Sequence, residues 1–301
     1  MKVQIFVAAV FFILLAVLFL ITGNTAALLA MTATVAFFSG VLWLLYRLYL
    51  KRNHRKKQHS PLSPTLMWMN TAGSILLAAN PYASFSCMGG YGTWMEDERI
   101  LQMIKKTLWD YWGIQSRATA EKEMRSLLNH GMRSDYGKRM MALDQLYHDF
   151  TEVQLIETTK KKNPKADEDS YLPKMMMSWR RYGENALLGW DAGRCALICQ
   201  WCYLAGYLDM ETMLDICVDA GKKAQAVFQS WEEMMESYLL GIQYWRGEDR
   251  NTRGSMTAER WKLYEKLWRG EKPYGVSPYL SVPFDLPLSK EIVTDKFGVM
   301  K

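Results

Sequence analysis

Apolar positions fall into two regimes along this chain. From Val3 to Thr22 the only polar side chain before the end is Gln4, and no residue is charged. Ala26 to Tyr46 is a second uncharged run of similar length. About 20 apolar residues suffice for a helix to cross the hydrocarbon core of a bilayer. Only Gly23-Asn24-Thr25 separates the runs, so residues 1–50 are expected to form a tight transmembrane hairpin with spans at about 3–22 and 26–46.

Beyond residue 65 the apolar period becomes that of amphipathic helices. Leu101, Ile104, Leu108 and Trp112 recur at three- and four-residue steps behind a capping-box pair, Thr93 and Glu96. Tyr136, Met140, Leu143, Tyr147 and Phe150 form the next stripe. Asp209 is placed to cap a helix through Leu214, Cys217 and Ala224 to Phe228. Ser230 with Glu233 opens another, striped by Trp231, Met235, Tyr238, Ile242 and Trp245, and a further helix is expected from Thr257 to Trp268. Between Cys195 and Tyr207 the only polar side chain apart from the tyrosines is Gln200, the pattern of a helix buried on all sides. Pro273, Pro278, Pro283 and Pro287 make the end extended, packed over the helices. Alternating strand patterns are scarce. The expectation is all-α: hairpin, basic and Pro-containing linker at 51–64, helical domain at 65–288 and a tail at 289–301. A charged loop at 160–170 is expected to divide the domain into two helical halves.

Charge sharpens the topology. The net charge is +6, yet residues 1–57 hold seven of the 37 Lys and Arg and none of the 31 acids, leaving 30 bases and a net charge of −1 in the remainder. Six of the seven, Arg47, Lys51, Arg52, Arg55, Lys56 and Lys57, follow the second run, and the loop at Asn24 has none. Cytoplasmic flanks carry the Lys/Arg excess, so both termini are expected in the cytoplasm. The alternative, a cleaved signal peptide with Lys2 as its basic start, leaves the domain on the same side. The basic cluster is a topology signal that also suits anionic lipid, and the balanced remainder argues against a nucleic-acid partner.

Candidate chemistry is sparse. Five cysteines show no disulfide-framework spacing, which agrees with a reducing compartment. Cys199 and Cys202 are formally a CxxC, but with Cys195 they form one stripe of an apolar helix, where a redox pair or zinc site lacks the exposure or the further ligands it needs. No metal and no cofactor is expected. The stretch Cys87-Met-Gly-Gly-Tyr-Gly lacks phosphate-loop spacing and reads as a flexible turn. Asp191 and Arg194 stand at i and i+3 and extend the apolar stripes of the buried helix. They are either an ion pair near the core or polar groups lining a pocket.

Trp190-Asp191 with Arg194, then Ala205-Gly206-Tyr207, Ser230-Trp231, and Gly241 with Trp245, resemble in order and spacing the signposts of the bacterial family called domain of unknown function 1266. The resemblance covers roughly residues 65–288. It implies a helical fold of uncharacterised role, as in enterobacterial proteins of the YbeU and YbeR type, and it brings no catalytic residues. The candidate binding or structural residues are therefore Trp190, Asp191, Arg194, Trp231 and Trp245. The expected role is a membrane-anchored interaction module with a protein partner. An enzyme or small-ligand binder built on Trp190, Asp191 and Arg194 is the alternative.

Overall fold

A computed structural model describes residues 37, 40, 41, 62–80, 83–91 and 98–290. The chain forms two compact units, residues 1–58 and 59–301. The hairpin spans, the basic cluster and the Thr93–Glu96 cap fall almost wholly outside the described residues. Among the described residues no helix is long and apolar enough to cross a membrane.

The second unit is all-α, with no strand among the described residues. Its helices are α1 (Pro64–Ala72), α2 (Ser74–Ala78), α3 (Glu98–Trp112), α4 (Arg117–Asn129), α5 (Arg133–Tyr147), α6 (Glu152–Lys160), α7 (Tyr171–Tyr182), α8 (Leu188–Leu204), α9 (Met210–Val227), α10 (Trp231–Arg246), α11 (Met256–Trp268) and α12 (Pro278–Ser281). Helix α8 is the axis. All of its 17 residues except Arg194 and Tyr203 are buried, and α1, α4, α9 and α10 pack around it. This is the helix whose sequence is apolar all round.

Caps set the ends. The Asp209 side chain accepts from the Thr212 N–H at 2.7 Å and so starts α9, as expected. Ser230 accepts from the Glu233 N–H at 3.3 Å to start α10, while Glu233 reaches the Gln229 N–H at 2.8 Å. Helix α5 stops at Tyr147, short of Phe150. Phe150 lies in the turn before α6 with its ring 5.2 Å from that of Tyr147.

Asp209 also receives Arg117 Nη1 at 2.7 Å. The Thr212 donors first, then Arg117, hold its carboxyl at about 2, below the ordinary 3.8. A carboxyl depressed in the folded state stabilises fully above its unfolded value, and that stability is lost as pH falls through the folded one. Asp209→Asn keeps a capping oxygen but removes the titration. The variant is expected to melt with a flatter pH dependence than the parent between about pH 4 and pH 2; thermal melts of the purified chain across that window check it.

Two sequence expectations change in the folded chain. The loop at 160–170 is charged as read, but the segments it separates do not form separate halves. Tyr136, Met140 and Leu155 from before it share one core with Met175, Met176, Leu240 and Tyr244 from after it. The loop itself is clamped: Asp249 accepts from Asn163 Nδ2 at 2.9 Å and the Tyr171 N–H at 2.7 Å, Asn251 donates to Asp167 at 2.7 Å, and Arg250 donates to Asp169 at 2.6 Å. The glycine-rich stretch is likewise no free turn. Met88, Gly89 and Gly90 are buried; the Gly89 N–H donates to Gln200 Oε1 at 2.7 Å, and Trp201 Nε1 donates to the Gly89 carbonyl at 2.7 Å. Gln200, the one polar break in the apolar helix, therefore satisfies a buried backbone group that would otherwise be costly.

The end of the described chain is extended, as its prolines predict, apart from the single turn of α12. It is held by its carbonyls. Trp231 Nε1 donates to Val282 O at 2.6 Å, Trp68 Nε1 to Phe284 O at 2.8 Å, and Gln225 Nε2 to Phe284 O and Leu286 O at 2.7 and 2.9 Å.

Candidate functional site

Asp191 lies in the first turn of α8 and is fully enclosed, with 0% of its side chain exposed. Three donors converge on its carboxylate. Arg194 Nη2, one turn along the same helix, donates to Oδ1 at 2.8 Å. Arg133 Nε, at the start of α5, donates to Oδ2 at 3.1 Å, and the Met132 N–H reaches Oδ1 at 3.3 Å. The two arginines are themselves tied down. Arg194 Nε donates to Trp190 O at 3.1 Å, and Arg133 Nη2 donates to Leu128 O at 2.6 Å at the open end of α4. The α4–α5 turn approaches this closely because residue 131 is glycine. Its φ is +54°, and a Cβ there would sit 2.0 Å from Asp191 Oδ2.

Burial pushes the Asp191 carboxyl up from its ordinary value, while Arg194, Arg133 and the Met132 N–H pull it down. Burial pushes the Arg194 guanidinium down, with Asp191 opposing. Neither charge could be held here alone, because an unpaired ion in the interior is far costlier than a hydrogen-bonded pair. Two guanidiniums share one carboxylate, so the group keeps a net positive charge when all three are ionised. Sealed inside three donors, Asp191 has no route to a substrate proton and does not suit general acid–base work.

Outward from this triad runs a row of rings. The Arg194 guanidinium carbon lies 4.1 Å from the Trp190 ring centroid and 5.4 Å from that of Trp112 at the end of α3. Such contacts contribute about 0.5–2 kcal/mol each, more as they are desolvated. Trp190 meets Tyr238 edge-on at 5.0 Å and stacks on Trp245 at 6.4 Å and 29°. Gly241, one turn before Trp245 on α10, makes the stack possible: a Cβ there would lie 2.2 Å from Trp190 Cγ. Trp190 is 7% exposed and its buried Nε1 has no partner, whereas Trp245 is 52% exposed. The row thus begins in the core and ends in solvent.

The structure brings Trp190, Asp191, Arg194 and Trp245 together and leaves Trp231 out. Trp231 lies fourteen residues before Trp245 on α10, about 21 Å along the axis. It packs on Trp68 and Phe284 with ring centroids at 4.8 and 5.1 Å, where it holds the C-terminal segment. Gly131 and Arg133 join the site from outside the sequence candidates, and so does Trp112, expected only as the last position of an apolar stripe. Gly131 carried one signal, a glycine just past a helix end; the other two carried none. The basic residues Arg47, Lys51, Arg52, Arg55, Lys56 and Lys57 lie outside the described residues.

The cysteine stripe is buried, and so are Cys87 and Cys217. Burial, with Cys195 and Cys217 as neighbours, pushes the Cys199 thiol well up, and burial raises Cys202 as well. Among the described residues no group of three or more His, Cys, Asp or Glu side chains could hold a metal ion. The folded chain is expected to take up no iodoacetamide at neutral pH and to react at all five cysteines once denatured, since only the thiolate is nucleophilic; mass spectrometry of the intact protein counts the adducts.

Residues 107–284 match a family described as a protein of unknown function, DUF1266. The chain belongs to that family. No curated protein and no solved structure matches it. The DUF1266 match begins inside α3 and ends at Phe284, so it takes in every member of the triad and the ring row. It leaves out α1, although Trp68 and Met69 of that helix are fully buried in the same core.

Proposed function

We propose that this DUF1266 protein is a docking module, tethered to the cytoplasmic face of a bacterial inner membrane by the hairpin at about 3–22 and 26–46, and related to the enterobacterial YbeU and YbeR type. Its partner is a protein, and its docking face is the solvent end of the ring row at Trp245. The observation that carries this reading is that Trp245 is half exposed yet already fixed, stacked on a buried Trp190 that the triad and Gly241 hold in place. Tryptophan and arginine dominate the energetics of protein interfaces, and a preorganised side chain forfeits little entropy on binding. The closed triad supports a docking role over an enzymatic one. A small-ligand site is the second reading, favoured by the unpartnered Nε1 of Trp190.

A photoreactive residue at position 246, beside Trp245, should give a discrete protein adduct in living bacteria, whereas one at Glu232, exposed on the same helix, should not. Equal labelling at both positions, or at neither, removes the docking face. The tether has its own test. Asn24→Cys should react with a membrane-impermeant thiol reagent in intact cells and Lys301→Cys should not; the reverse pattern overturns the orientation.

A further inference from the structure

The last described segment lies on the helices as a ligand lies in a groove. From Val282 to Leu288 its side chains alternate. Val282, Phe284 and Leu288 are buried and Leu286 is partly buried, while Pro283, Asp285 and Pro287 face water. The walls of the groove are α1, α9 and α10. Trp68 and Trp231, with ring centroids 4.8 Å apart, close around Phe284. Gly221 leaves the room that Leu288 fills, since a Cβ there would strike its Cδ1. The helices grip the segment with side chains alone. Besides the donors Trp68, Trp231 and Gln225, Thr65 Oγ1 accepts from the Ser289 N–H at 3.0 Å, and Asp215 pairs with Lys290. Among the described residues no main-chain hydrogen bond joins residues 282–290 to a helix other than α12.

The stretch before this strap has the make-up of a hinge. Residues 269–276 join α11 to α12, are exposed except for the half-buried Gly270 and Tyr274, and bend at Gly270 and Gly275, whose φ values are +61° and +76°. Fully extended, they reach about 28 Å. Val276 on the hinge is 69% exposed and Leu280 on α12 is 75% exposed, more than any other large aliphatic side chain among the described residues. A single copy leaves both in water.

We propose that two copies of this chain exchange their straps, residues 277–290 of each lying in the groove between α1, α9 and α10 of the other. Every contact of the strap forms as well between copies as within one, so the exchange costs only the opening of the hinge. It also gains burial. Where the two hinges cross, Val276 and Leu280 of one copy meet those of the other and leave water. The occupant is a second copy rather than a foreign segment because each copy already carries a sequence that matches the groove, apolar at 282, 284, 286 and 288 with prolines turned outward between them. The exchange is independent of the tether, and it leaves Trp245 free at the other end of α10 from Trp231.

The surface pair Asp215 and Lys290 reports where a strap lies. Full chains carrying Asp215→Cys or Lys290→Cys, each with its own tag, are co-expressed, purified and treated with a short bismaleimide. Both side chains are about half exposed, so neither change disturbs the fold, and the five native thiols are buried. Exchange predicts unlike chains joined through positions 215 and 290 in roughly half of the randomly formed dimers, and far more of them than when the equally exposed Leu146→Cys replaces Lys290→Cys. A chain carrying both changes should likewise be joined to a second chain. If the double variant instead closes 215 to 290 within one chain while unlike chains stay separate, each strap stays in its own groove and the proposal is overturned. No link between 215 and 290 in any sample overturns the seat of the strap as well as its exchange.

Discussion

Asp191→Asn is expected to destabilise the fold by about 3–5 kcal/mol, the usual cost of stranding a buried charge. The neutral amide leaves both Arg194 and Arg133 without their carboxylate, and its NH2 group turns a donor toward one of them. Removing an arginine is a smaller loss. Arg194→Met leaves Asp191 still paired with Arg133 and the Met132 N–H, so it should cost about 1.5–3 kcal/mol, the range for a hydrogen bond to a charged group. The double variant should be more stable than the sum of the two losses predicts, because one of the stranded cations has gone. Denaturant unfolding of the solubilised chain measures all three. An Asp191→Asn chain as stable as the parent would mean that the triad does not hold the α4–α5 turn to α8.

Gly131→Ala is expected to have the next largest effect. The left-handed conformation at φ +54° costs an L-residue about 1–2 kcal/mol. The new methyl would also lie 2.0 Å from Asp191 Oδ2, and overpacking of this kind typically costs about 1–3 kcal/mol more. The turn must move, and Arg133 moves with it. Gly241→Ala makes a useful comparison, because α10 favours alanine over glycine by about 1 kcal/mol and only the crowding of Trp190 opposes that gain. Gly131→Ala should therefore melt well below Gly241→Ala, whereas Gly241→Ala should disturb the Trp190–Trp245 stack more. Near-ultraviolet circular dichroism beside the melting curves separates the two effects.

Much of this was legible in the chain. The three- and four-residue apolar period gave the all-α class, and the apolar run at Cys195–Tyr207 marked the central helix, because a helix with no polar face has nowhere to go but inside. Asp191 and Arg194 could be paired because i and i+3 share a helix face whatever the fold. Arg133 could not be found the same way. It lies 58 residues from Asp191, and nothing local to a helix start says which distant carboxylate it will meet. Trp231 was grouped with Trp245 because both are signposts on one helix, but fourteen residues put them at opposite ends of it. The glycines at 89 and 90 looked mobile in sequence for the same reason that they are buried in the structure. Without a Cβ, the backbone at Gly89 lets Gln200 and Trp201 close directly onto its amide and carbonyl.

Trp245 is proposed as the outward, functional end of an internally closed structural group. The most direct measurement places the photoreactive residue at position 246, beside the ring, and compares the parent with Trp245→Ala in living cells. Trp245 is half exposed and lies outside the triad, so the substituted chain should stay folded and melt only modestly below the parent, by the loss of its stack on Trp190, while the adduct from position 246 is lost. An adduct of parental strength from a folded Trp245→Ala chain would contradict the claim.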